Sequence, residues 1–172
     1  MEFTLVGIPL MFVLITTFEM ARGMWMYETV AHAVREGARY AAVHGADCTT
    51  SPNSCSINIG TTSGTQLGIA QVIQNAAVGV DATLFKITIS TAASSSGTAV
   101  NTTGSTVLST LLANNTSFSA WSGTASGNDV LVSGVYTFPT ALAMFWPGAA
   151  GGGGFNIPSI TIGAQSREGI GF

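Results

Sequence analysis

The stretch EFTLVGIPLMFVLITTFEMARGMWMY, residues 2–27, decides the architecture. No charged side chain occurs between Phe3 and Phe18. As a helix rising ~1.5 Å per residue, that run spans about 24 Å, against a membrane hydrocarbon core of ~30 Å. Continuing through Met20, Met24, Trp25 and Tyr27 makes the segment long enough to cross, and brings in Glu19 and Arg22. Those two stand three residues apart, a spacing that lets them neutralise one another on one helical face. Trp25 and Tyr27 fall where aromatic side chains anchor a span at the interface. No basic stretch precedes the apolar run in this sequence and no small-residue cleavage site follows it, so the segment reads as retained rather than removed. Pro9 lies inside the run and is expected to kink the helix, which neighbouring helices tolerate.

Downstream the pattern turns amphipathic. Met20, Met24, Tyr27, Ala31, Val34, Ala38 and Ala41 recur at steps of three and four and predict one buried face. Glu28, Arg35, Glu36 and Arg39 take the opposite side. The small residues Ala31, Ala33, Gly37, Ala38, Ala41 and Ala42 allow another element to approach closely, and Gly45 is a natural stop. The expectation is one helix over 1–46, with an apolar half at 3–27 and an amphipathic half at 28–44.

The remaining residues, 47–172, differ in composition. Only 8% of the 172 residues are charged, and after Cys48 the charges are Asp81, Lys86, Asp129, Arg167 and Glu168. Globular chains usually carry about 25%. Polarity comes instead from Ser, Thr, Asn and Gly, which suits an exported, surface-exposed head. A net charge of −3 leaves no basic field for nucleic acid.

Periodicity in the head predicts a second helix through Leu67, Ala70, Ile73, Ala77 and Val80. Alternation predicts strands around Phe85–Ser90, Val130–Phe138 and Ile160–Gln165. A Ser/Thr/Gly-rich insertion occupies 91–128, with Val107, Leu108, Leu111 and Leu112 as a candidate short helix. The fold class expected is α+β: a long N-terminal hydrophobic helix packed on a small antiparallel β-sheet head that carries a second helix.

Cys48 and Cys55 lie close together in a turn-rich stretch and read as a local disulfide in an exported head. The alternative, a metal held by His44, Asp47, Cys48 and Cys55, matches no common zinc spacing. Asn101, Asn114 and Asn115 each open an Asn-x-Ser/Thr triplet and are candidate glycosylation sites. The Gly151–Gly154 run has no strand-to-helix context for a phosphate cradle. His32 and His44 have no nucleophile or paired carboxylate in a recognisable catalytic pattern, so neither an enzyme nor a cofactor is expected.

Four stretches carry a resemblance. MEFTLVGIPLMFVLITTFEMAR (1–22), AVREGARYAAVHG (33–45), VLVSGVYTFP (130–139) and ITIGAQSREG (160–169) resemble, in this order, the TadE-like pilin and pseudopilin family of tight-adherence pilus systems. The resemblance implies a bitopic membrane precursor, processed by a prepilin-type peptidase and handled by pilus assembly machinery. It also implies a subunit that polymerises with copies of itself into an extracellular adhesive filament, its precursor anchored in the membrane. Glu2, Phe3, Leu5, Leu10, Phe12, Leu14 and Phe18 are the expected subunit-packing residues. The alternative is a minor pseudopilin or membrane-anchored assembly factor that forms no polymer.

Overall fold

The computed structural model describes residues 2–45, 57–61, 66–93, 99–118, 120–121, 123–140 and 159–171, with backbone only for 2–5 and 99–100. The chain is α+β, as its periodicities predict. A single helix, α1 (Glu2–Ala42), runs unbroken through Pro9 and leads into the head. There follow α2 (Ile69–Ala76), β1 (Phe85–Ala92), β2 (Ala99–Thr102), β3 (Thr106–Val107), the one-turn α3 (Leu108–Leu111), β4 (Asp129–Phe138) and β5 (Ile160–Gly169).

The strands form one antiparallel sheet in the order β2-β1-β4-β5, with β3 also pairing with β1. The register places Phe85 opposite Tyr136, Ile87 opposite Gly134 and Ile89 opposite Val132. It then places Tyr136 opposite Ile162 and Gly134 opposite Ala164. Because side chains alternate across a strand, these residues share one face, and α1 lies on it. Val30, Val34, Phe85, Ile87, Ile89, Val130, Val132, Tyr136 and Ile162 are buried there. Phe85 and Tyr136 meet edge to face, with ring centroids 6.4 Å apart.

Two glycines set how close the layers come. A Cβ on Gly134 would stand 2.8 Å from Val34 Cγ2 and 2.7 Å from the Phe85 ring, so helix and sheet meet over a bare backbone. A Cβ on Gly37 would stand 2.4 Å from Ile73 Cγ1, so α2 crosses α1 at an equally bare position. The first amides of α2 have no side-chain cap. The Ile69 and Ala70 amides donate instead to the Asn58 and Ile59 carbonyls, at 3.2 and 2.7 Å. A backbone segment thus satisfies donors that a helix start leaves orphaned.

The buried stripe of α1 corrects the expectation from periodicity. It comprises Met26, Val30, Ala33, Val34, Gly37, Ala38 and Ala41. Met20, Met24 and Tyr27 are exposed, and Ala31 is half-buried. Heptad-like spacing fits two neighbouring stripes almost equally well. The head selected the one with Ala33 and Gly37, and at Gly37 the missing side chain admits Ile73 of α2. The insertion at 91–128 contains β2, β3 and α3, of which only the short helix was foreseen.

Candidate functional site

The feature that calls for a function is the N-terminal half of α1. Val6 is 66% exposed, Leu10 65% and Phe18 74%. Phe12, Val13 and Leu14 are exposed as well. Such a surface is apolar on every side, and a single head covers only one side of a helix. Among the described residues, α1 is the one helix long and apolar enough to cross a membrane, and its most apolar window is 0% buried.

The described hydroxyls on this half bond to its own backbone. The hydroxyls of Thr16 and Thr17 donate to the carbonyls of Phe12 and Val13, both at 2.8 Å. Thr29 does the same to Trp25 at 2.9 Å. Bonds of this kind hide hydroxyls from lipid by sharing the carbonyl one turn back.

At the root of the bare half sits Arg22. Its guanidinium reaches Glu19 at 3.3 Å, the i,i+3 pairing read from the sequence. It also donates to the Pro139 carbonyl and lies 4.4 Å from the centroid of the Phe138 ring. Its Nε is buried without a hydrogen-bond partner. The arginine thus fastens the helix to the end of β4 through the Pro139 carbonyl and the Phe138 ring face, while Glu19 pairs with it from the same helix. Sequence reasoning found the ion pair and missed the rest, because Pro139 lies 117 residues away and nothing local announces it.

Beside this clamp the helix and the sheet diverge. They leave a groove of about 610 Å³ between Met20, Gly23, Met24 and Tyr27 on α1 and Phe138 and Ile162 on the sheet. Glu19 and Glu28 are its two carboxylates. The apolar surface therefore continues from the bare helix to the underside of the head.

Of the expected packing residues, Leu10, Phe12, Leu14 and Phe18 are exposed on α1. Glu2, Phe3 and Leu5 lie at its tip, where only the backbone is described. Cys48 and Cys55, and Asp47 of the metal alternative, lie outside the described residues. His44 stacks on Tyr40 with ring centroids 4.3 Å apart, and its Nδ1 is 2.8 Å from the Tyr40 carbonyl. The three candidate glycosylation sites differ in accessibility. Asn101 faces the core side of the sheet opposite buried Thr91 and is half-buried. Asn114 is half-buried, and its side-chain oxygen accepts from the Thr116 amide at 2.9 Å. Asn115 is exposed and accepts a bond from the Thr61 hydroxyl at 2.7 Å.

Residues 1–39 match the family model described as TadE-like protein. The match covers nearly all of α1 and none of the head. No curated protein and no solved structure matches the chain. The helix match and the exposed apolar surface fit a membrane-anchored, pilus-associated protein.

Proposed function

We propose that this protein is a structural subunit that packs through its apolar helix into an extracellular filament serving surface attachment. The observation that supports this most is the all-round exposure of residues 6–18 on a helix whose other half is firmly built into a head. Lipid covers that surface in the precursor, and copies of the same helix cover it after assembly. Several large apolar side chains, each worth roughly 1.5–3 kcal/mol when buried, favour the packed state only where the helices fit closely. A prepilin-type peptidase and pilus assembly machinery act on the precursor in this reading. The role is mechanical, with no chemistry on a substrate.

Glu2 places a carboxylate at the tip of α1. A lone carboxylate in an apolar helix core is costly, so it pairs with a neighbour's amino terminus or is held neutral. Either arrangement rewards correct axial register, as single polar residues do in coiled coils. Fibres isolated from cells should contain this chain as a repeating subunit. Glu2→Ala should leave the precursor in the membrane with its head folded, and lower the yield of fibres. Deleting residues 1–27 should abolish them. The same fibres from the deleted chain would end the proposal and leave head contacts to carry assembly.

A further inference from the structure

The two outer strands of the sheet differ in an informative way. β5 is ten residues long and pairs with β4 in an unbroken register from Asp129↔Gly169 to Phe138↔Ile160. Among the described residues no strand lies on its other side. Exposed edges are commonly blunted by a bulge, a proline or an outward lysine or arginine. β5 has no bulge in its register and no proline. Its charged side chains are confined to one end: Glu168 stands opposite Val130, and Arg167 is turned back onto Asp129, with contacts of 3.0 and 2.5 Å, which leaves Ile160–Ser166 without a charge. The opposite edge, formed by Ala99–Thr102 and Thr106–Val107, carries no charged residue, and among the described residues no further strand follows it in the sheet order.

Strand direction then restricts the partner. β2, β3 and β4 all run antiparallel to β1, and β5 runs antiparallel to β4. The two edges of the sheet therefore point in opposite directions. Suppose two copies stand side by side with their α1 helices aligned, as insertion in one membrane requires. The β5 edge of one then meets the β2–β3 edge of the next antiparallel, the more favourable pairing.

Antiparallel pairing of β5 with another β5 fails the same test. Its two-fold axis is normal to the sheet. Because α1 lies on the sheet face, that axis would reverse the helix and point the two apolar halves in opposite directions. A head-to-tail contact does not close on itself as a two-fold contact does, and so it propagates along a row of copies.

We infer that the partner of the β5 edge is the β2–β3 edge of a second copy of this chain, forming a sheet that continues from head to head. The inference rests on the proposed assembly with aligned helices and adds the contact that orients the heads within it. Main-chain hydrogen bonds hold the contact, so it tolerates the neutral Ser/Thr/Gly surface of the head.

The test is photo-crosslinking of the full chain in its membrane or fibre form, with light and heavy isotope-labelled copies mixed. A benzophenone side chain replaces Gln165, an exposed residue of β5. A second preparation carries the probe at Leu10. The expected result is an intermolecular link from position 165 to residues 99–107. A link to another β5, to residues 141–158 or to a helix overturns the sheet contact, as does the absence of any intermolecular link. If the Leu10 probe still captures copies, helix packing survives that failure. If neither probe does, both proposals fall.

Gly163→Lys provides an independent arm. A Cβ there meets nothing within 4 Å, so the head should melt as the wild type does. The added cation should remove the 165-to-99–107 link and spare the Leu10 link. An undiminished link would overturn the inference.

Discussion

The two halves of α1 are built from similar residues and live in opposite surroundings. Val13 is 65% exposed and Val30 is 0% exposed, yet both are valines on the same helix. Thr17 lies on the bare half and closes its hydroxyl onto its own backbone. Gly37 lies on the packed half and gives up a side chain so that Ile73 can enter. The lesson is that helix formation and helix burial are separate decisions. Propensity and apolar content make both halves helical, whereas the sheet decides which half is covered.

The strongest way to break the contrast is to make the bare half behave like a soluble surface. Leu10→Lys replaces a favourable span residue with one that costs about 3–4 kcal/mol more at the centre of a membrane helix. Flotation of the full chain with lipid should be lost, and assembly with it, while the head remains folded by circular dichroism. Flotation at wild-type levels would show that the bare half does not need a membrane.

Next in size is a change at the packed half's contact with the sheet. Gly134→Val forces atoms into space held by Val34 and the Phe85 ring. Overpacking of this kind costs about 1–3 kcal/mol, and more where backbone must shift. The head's melting temperature should fall clearly, with membrane binding unchanged. A head as stable as the wild type would mean that helix and sheet are less closely apposed than Gly134 indicates.

The comparison is sharpened by making one substitution twice. Val30→Ala removes two buried methyl groups and leaves a cavity, for a loss of about 2 kcal/mol. Val13→Ala should change head stability by no more than about 0.5 kcal/mol in detergent. Chemical denaturation of both variants measures the difference. Equal losses would show that the head senses the whole helix.

The smallest expected effect lies in the turn before β1. The Asp81 carboxylate accepts from the Thr83 amide at 2.8 Å and from its hydroxyl at 2.7 Å. These bonds hold its pKa below the usual value, the amide being the larger cause. A lowered folded-state pKa contributes stability above the unfolded value, near 4, that disappears as pH falls through the folded value. Melts of the wild type should therefore weaken slightly below about pH 4. Asp81→Asn should flatten that part of the acid limb and leave the neutral range almost unchanged. An identical acid limb in the variant would remove the role.

The long helix was legible because sixteen consecutive uncharged residues from Phe3 to Phe18, followed by spaced small residues, leave few other structures open. The three long strands were legible because Phe85-Ile87-Ile89 and Ile160-Ile162 alternate with polar neighbours, and Val130, Val132, Tyr136 and Phe138 keep a two-residue period. β2 and β3 escaped notice because AVNT and TV carry almost no alternation. Their place is fixed by pairing with β1, a contact between distant residues.

The sequence by itself therefore determined that this protein has an apolar helix, a weakly charged head and three main strands, since composition and period are local properties. It also determined the Glu19–Arg22 pairing, which lies within one helical turn. Packing in three dimensions settled that Met26, Val30 and Ala33 are buried against the head, whereas Met20, Met24 and Tyr27 stay exposed beside the groove. Only the fold carried Pro139 and Phe138 to Arg22 and left β5 and β2 as oppositely directed edges. These outcomes depend on how layers meet in space, and a helix with two adjacent apolar stripes carries no local signal of which one its neighbour will cover.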